Sequence, residues 1–221
     1  GRIDRFVWSG PSSRTENRAM IRYRADWVLP IVSPPVAGGW VDVRDGRIVG
    51  SGDGEGPQPD HVVDLGSTAI LPALVNAHTH LELYGLRGAV SPASSMPEWV
   101  DRMLASRAEA GPPDSADIKR AVGEASAAGT GLFGDIGNTT MAAPVLVGAG
   151  VFARVFREVV AFPDDLADVS VSTAMQELES LPPSTRVRPG IAAHAPFSVG
   201  PAAFAGLVKM HRQGLDLHDK R

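Results

Sequence analysis

The chain contains no cysteine, which excludes a disulfide framework, cysteine-ligated zinc and thiol catalysis. Any metal must then be held by histidine and carboxylates. No stretch reaches the ~18 apolar residues of a membrane-spanning helix, and the N-terminus lacks the apolar core of a signal peptide. No membrane contact is expected, and the cytoplasm is the expected address. Nor is positive charge concentrated: 21 Lys and Arg against 25 Asp and Glu leave a net charge of -4 with no basic block, so nucleic acid is not an indicated partner. What is present is enough for a real core, with 43% hydrophobic and 21% charged residues over 221 positions.

Residues 1–19 are polar, rich in Arg and Ser and without periodicity, and read as a disordered leader or tag. A small β domain is expected over residues 20–68. Its strands are expected over Ile21–Leu29, Gly39–Arg44, Arg47–Gly50 and His61–Leu65. Asp45-Gly46 favours a two-residue hairpin, because such turns need positive φ, and residues 52–59 form a Gly/Pro-rich surface loop. His61 reads as an exposed loop histidine.

From residue 69 onward strands and helices alternate, the signature of a parallel α/β fold. Helices are expected over Pro97–Glu109, Asp114–Ala128, Thr139–Ala149, Asp164–Leu181 and from Pro201 to Gly214. Strands are expected over Thr130–Ile136, Val151–Val160 and Arg186–Ala193, with a fifth starting in Leu215–His218. At ~30 residues per βα unit, residues 69–221 hold about five units at most, where a closed eight-stranded barrel takes ~250 residues. The expected fold is therefore a partial (β/α)8 TIM-type barrel of four to five units, behind a small β-sandwich.

The stretch from Ile70 to Glu82 organises this pattern. It is an apolar run that ends in His78, His80 and Glu82, and it reads as a buried strand covered on both faces, as in parallel sheets. Residues two apart on a strand share a face, so His78 and His80 can offer their imidazoles to one ion, zinc or iron. An isolated His-x-His is a weak signal, and its place at a strand end beside an acid strengthens it. Further polar residues fall at later strand ends: Asp135, Glu158, and His194 with Ser198. In a parallel barrel the C-terminal strand ends carry the active site, although a lone strand-end acid is more often a helix cap or structural ion pair.

The phrase Leu71-Pro72-Ala73-Leu74-Val75-Asn76-Ala77-His78-Thr79-His80-Leu81-Glu82 resembles the first-strand signature of the amidohydrolase superfamily, with Ala73 where many members have Gly. Met96-Pro97-Glu98-Trp99, Gly134-Asp135, Phe156-Arg157-Glu158-Val159 and His194-Ala195-Pro196-Phe197-Ser198-Val199 are similar to its mononuclear deaminase and chlorohydrolase branch, which includes S-adenosylhomocysteine, guanine and aminodeoxyfutalosine deaminases. The resemblance implies one divalent metal ion held by His78 and His80, and substrate contacts from Glu82, Trp99, Glu158, His194 and Ser198. It places a third metal histidine and the catalytic Glu in a His-Leu-x-Glu motif on strand five. Here the sequence reads Gly214-Leu215-Asp216-Leu217-His218 with no Glu following, so no catalytic residue is assigned within the chain and His218 is read as a terminal residue. A binuclear site with a bridging carboxylated lysine is disfavoured, because Lys119 and Lys209 fall inside expected helices and Lys220 at the end.

The resulting expectation is a metal-dependent hydrolase of non-peptide C-N bonds, deaminating an aminated heterocycle, present as an incomplete chain. Its partner is a small-molecule substrate, and a homo-oligomer is left open. The alternative is a non-catalytic half-barrel that associates through its open sheet edge.

Overall fold

The computed structural model describes residues 19–212 and the backbone of 216–219, in two units, Gly1–Pro72 and Ala73–Arg221. The leader expected over 1–19 falls outside the described residues but for its last position, as does the helix stop expected at Gly214.

The first unit is all β: β1 (Ile21–Arg24), β2 (Trp27–Val28), β3 (Val36–Ala37), β4 (Trp40–Arg44), β5 (Arg47–Gly52), β6 (His61–Asp64) and β7 (Ala69–Ile70). These make two small mixed sheets, in the orders β5-β4-β1-β6 and β3-β2-β7. The run expected as one strand over Ile21–Leu29 is broken at Ala25-Asp26, which lets the chain step from one sheet to the other. The β4–β5 turn has Asp45 at φ 52° and Gly46 at φ 70°, the double positive φ that a type I′ hairpin requires. His61 is exposed and opens β6. Within this unit a buried ion pair joins Arg22 to Asp42 through two hydrogen bonds of 2.7 Å, and the Arg22 guanidinium lies 3.9 Å from the centre of the Trp40 ring.

The second unit follows the βα rhythm: β8 (Leu74–Thr79), a 3-10 helix (Leu81–Leu86), α1 (Met96–Ala110), α2 (Ser115–Ala127), β9 (Thr130–Gly137), α3 (Ala142–Ala149), β10 (Phe152–Val159), a 3-10 turn (Asp164–Leu166), α4 (Ala167–Glu179), β11 (Val187–Ala193), α5 (Pro201–Arg212) and β12 (Asp216–Asp219). The five strands form one sheet in the order β12-β11-β10-β9-β8, every pair parallel. Sequential parallel neighbours joined by helices are the construction of a (β/α)8 barrel, here five strands of it.

Alternation along the strands separates two faces. Phe133, Val155 and Val187 pack with Ile118, Val122 and Leu146 of the helices, and Val159 and Ile191 pack with Ala174, Leu178 and Leu207. The opposite face carries a smaller cluster of Ile136, Phe156 and Ala192, and by the same parity Glu158 belongs to it.

The starts of α3 and α4 differ from expectation, and that of α2 does not. α2 begins where expected, because the Asp114 carboxylate accepts the Ala116 N–H at 2.9 Å. α3 starts at Ala142 rather than Thr139, after a turn in which the Thr139 hydroxyl accepts the Met141 N–H at 3.3 Å. The sequence expected over Asp164–Leu181 opens as a 3-10 turn and becomes α-helical only at Ala167.

The opening apolar run requires a correction. It is not one buried strand: β7 pairs with β2 in the first unit, Pro72, which has no N–H to give a ladder, falls in the break, and β8 begins at Leu74. Among the described residues β8 is the edge of its sheet, with Leu74 55% and Val75 62% exposed.

Candidate metal and substrate site

β8 carries His78 and ends at Thr79, and His80 follows it directly, two residues on and beside His78. Their Nε2 atoms lie 3.3 Å apart, with ring planes at 75°. His80 Nδ1 is 2.7 Å from the Ile136 carbonyl oxygen. A carbonyl only accepts, so Nδ1 carries the proton and Nε2 of His80 presents its lone pair toward His78. Two nitrogens bound at ~2.05 Å to one tetrahedral ion lie about 3.3 Å apart, so the pair has the spacing of two adjacent ligands. A backbone carbonyl fixing the tautomer from behind is the usual support of such a ligand. The donor set therefore fits a divalent ion such as zinc. Among the described residues no group of three or more His, Asp or Glu converges, so the fit rests on this pair. The register sets the His218 backbone opposite Ala192, and its side chain lies outside the described residues.

β9 supports the pair from beside it. Asp135 is 1% exposed and accepts the Leu81 N–H at 2.9 Å. Burial, aided by the nearby charge of Glu82 and opposed by the Leu81 N–H, pushes its carboxyl up to about 7. Consecutive residues of one strand end, Asp135 and Ile136, thus hold the backbone after His80 and the ring of His80.

Glu82, expected as a substrate contact, is occupied otherwise. Its carboxylate accepts from Asn138 N–H at 2.9 Å, Thr139 N–H at 3.2 Å, Thr139 Oγ1 at 3.0 Å and Arg107 at 3.0 Å. With a side chain 4% exposed, it ties the segment after β8 to the loop after β9.

Glu158 is 5% exposed at the end of β10 and accepts from Asn138 Nδ2 at 3.1 Å. Arg107 of α1 in turn donates to Asn138 Oδ1 at 2.7 Å. A cavity of about 390 Å³ opens beside these groups, lined by Asn138, Arg157, Glu158, Val160, Ser170 and Thr173 among others.

After β11, His194 Nδ1 lies 2.5 Å from Ser198 Oγ, and that hydroxyl donates to the Ala195 carbonyl at 3.1 Å. With its only proton so used, the hydroxyl accepts from His194 Nδ1–H, which leaves Nε2 as the acceptor. Trp99 lies on α1, 41% exposed, and α1 buries none of its residues.

Six of the seven expected residues therefore fall into pairs: His78 with His80, Glu82 with Glu158 through Asn138, and His194 with Ser198, while Trp99 stands apart on α1. Arg107, Asn138 and Thr139 were missed. Asn138 and Thr139 did carry a signal, a polar run directly after a strand on the face where barrels build sites. Arg107 carried none, being one of several arginines in a helix.

The Amidohydrolase family model matches residues 69–218. A curated relative, the 5-methylthioadenosine/S-adenosylhomocysteine deaminase of Moorella thermoacetica, is 36% identical over 83 residues, covering 35% of this chain and 19% of the relative. Among solved structures, Helicobacter pylori aminofutalosine deaminase in complex with methylthio-coformycin superposes with a TM-score of 0.77 at 22% identity, over 91% of this chain and 50% of that one. A zinc-bound adenosine deaminase from Xanthomonas campestris superposes with a TM-score of 0.67 at 20% identity, over 90% and 48%. The chain thus spans about half the length of these two structures, and at such identities the likeness speaks to the fold.

Proposed function

Because the chain belongs to the amidohydrolase family, with its match over residues 69–218, we propose that it is part of a metal-dependent hydrolase of the deaminase branch. The proposed reaction exchanges a ring C–NH2 for C=O with water and releases ammonia. The substrate is an aminated purine or purine nucleoside, in keeping with the names of the deaminases it matches.

The observation that carries this reading is the His78–His80 Nε2 separation of 3.3 Å with His80 Nδ1 held by Ile136. In the proposal His78 and His80 hold a zinc or iron ion through Nε2. When bound, such an ion supplies Lewis-acid activation of water. The chain's own groups bind and orient. Ile136 and Asp135 keep His80 and the turn after it in place. His194, its Nε2 left as an acceptor by the Ser198 contact, accepts a hydrogen bond from a ring or exocyclic N–H. Glu158 accepts a second donor of the substrate, and Trp99 offers an apolar face to the ring. Glu82 acts from behind as an organiser of the loop that carries Asn138.

The metal half of this reading is tested on the chain as it stands, by zinc titration calorimetry on the wild type, His78→Ala and His80→Ala. Each substitution is expected to abolish stoichiometric binding. Undiminished zinc binding in both variants would sink the assignment. The substrate half is tested by ammonia release from methylthioadenosine, S-adenosylhomocysteine and guanine by the whole hydrolase of which this chain is proposed to be part.

A second reading rests on the exposure of Leu74 and Val75 along the β8 edge: the sheet pairs with a second copy through that edge. Light scattering that gives a monomer across micromolar concentrations removes it.

A further inference from the structure

Arg107 is held in a fork. One nitrogen donates to Glu82 at 3.0 Å and another to the Asn138 side-chain oxygen at 2.7 Å. A guanidinium has donors only, so its contact fixes which end of the Asn138 amide faces it. The NH2 end is thereby turned to Glu158, 3.1 Å away. Glu82 closes the arrangement, since the same oxygen that takes Arg107 also takes the Asn138 backbone N–H at 2.9 Å. Both ends of Asn138 are set by two groups distant in sequence, one of them on α1.

From this geometry we infer that Arg107 is a positioning residue, acting through Asn138 to aim the Glu158 carboxylate at a hydrogen-bond donor of the substrate. The inference rests on the reading of Glu158 as a substrate contact. It also assigns α1 a role. This helix buries none of its residues, and Gly88 and Gly111 on its two sides both have φ 77°. The Arg107 fork is thus a polar tie from α1, which carries Trp99, to the strand-end groups. A lysine cannot replace it, because one ammonium on a flexible stem does not reproduce the planar fork.

Two measurements on the full chain test this. In 1H–15N spectra the Asn138 side-chain NH2 pair is expected to be dispersed in the wild type and to move toward free-amide positions in both Arg107→Lys and Glu158→Gln. An Asn138 pair unchanged by Arg107→Lys overturns the positioning role. Calorimetric titration with methylthioadenosine is expected to lose about tenfold in affinity on Arg107→Lys in the wild-type background and to lose nothing further in Glu158→Gln. Equal losses in both backgrounds would show that Arg107 acts independently of Glu158. A wild-type chain that does not bind methylthioadenosine removes the proposed substrate reading, while the amide spectra still decide whether Arg107 sets Asn138. Asn138→Asp keeps the acceptor for Arg107 and sets a carboxylate against Glu158, so it is expected to weaken binding at least as much as Arg107→Lys. Wild-type affinity in Asn138→Asp would refute the relay.

Discussion

Replacing Asp135 with asparagine changes one proton-binding group in a position that is 1% exposed, and its effect on stability has a definite sign. In the folded chain burial pushes the carboxyl up to about 7, whereas an unfolded Asp titrates near ~3.9. Between those values the folded state binds a proton that the unfolded state does not, so the Asp135 contribution is fully present below pH ~4 and is lost as pH rises to about 7. That gap of about three pH units, at about 1.36 kcal/mol each, gives ~4 kcal/mol as the size of the loss. The amide of the Asp135→Asn variant is neutral throughout and can still accept the Leu81 N–H through its oxygen. The two proteins should therefore be similar near pH 4 and diverge above it, the variant being the more stable by up to ~4 kcal/mol at pH 8. The assay is urea unfolding followed by circular dichroism from pH 4 to 8, with a chelator present so that metal does not bias either protein. Titrating groups that do not interact with Asp135 cancel in the difference between the curves, which leaves Asp135 and its coupling to Glu82. Parallel curves, or a variant less stable than wild type at pH 8, would mean that Asp135 is ionised in the folded chain and that its hydrogen bonding outweighs its burial.

Glu82→Ala strands two backbone N–H groups, the Thr139 hydroxyl and one arm of Arg107, and should cost ~3 kcal/mol in chemical unfolding. Glu82→Gln should recover part of that loss. Gly134→Ala drives a Cβ into the Ala77 carbonyl oxygen, well inside contact distance, and a backbone atom cannot step aside. It should force β8 away from β9 and weaken the zinc binding proposed for His78 and His80, whereas unchanged zinc affinity would show that the strand pair has slack. In the first unit, Asp42→Ala leaves the buried Arg22 guanidinium without its carboxylate and should cost ~3–5 kcal/mol. Asp42→Ala with Arg22→Met should be milder than Asp42→Ala alone, a comparison made by thermal unfolding.

The βα rhythm was legible because it is carried by periodicity and punctuation, both local. Asp114 capping α2, Gly150 ending α3 at φ 69° and Asp45-Gly46 turning the hairpin each act within a few residues. The reading of residues 69–77 as one buried strand failed for a non-local reason. Apolar residues state a preference for cover, but which strand lies alongside is settled elsewhere in the chain. Here Ala69–Ile70 finds β2 while Leu74–Thr79 finds β9 on one side.

The same division runs through the site. His78 and His80 could be paired from the sequence because a strand's period of two puts them on one face, and the structure adds the 3.3 Å separation and the Ile136 carbonyl behind His80. His194 and Ser198 could be grouped because one tight turn holds both. Glu82 resisted, because a carboxylate two residues beyond a metal-type histidine has two destinations, the mouth of the site or the neighbouring loop. The loop after β9 offers two N–H groups and a hydroxyl at once, and Arg107 adds its charge. One substrate donor does not compete with four fixed ones, least of all for a side chain 4% exposed. Glu158 accepts from the neutral Asn138 amide and borders a cavity, which supports its proposed role as the ligand-facing carboxylate. Of two acids near neighbouring strand ends, Glu82 is saturated by the loop and shapes it, and Glu158 at the cavity wall is the one proposed to meet a substrate.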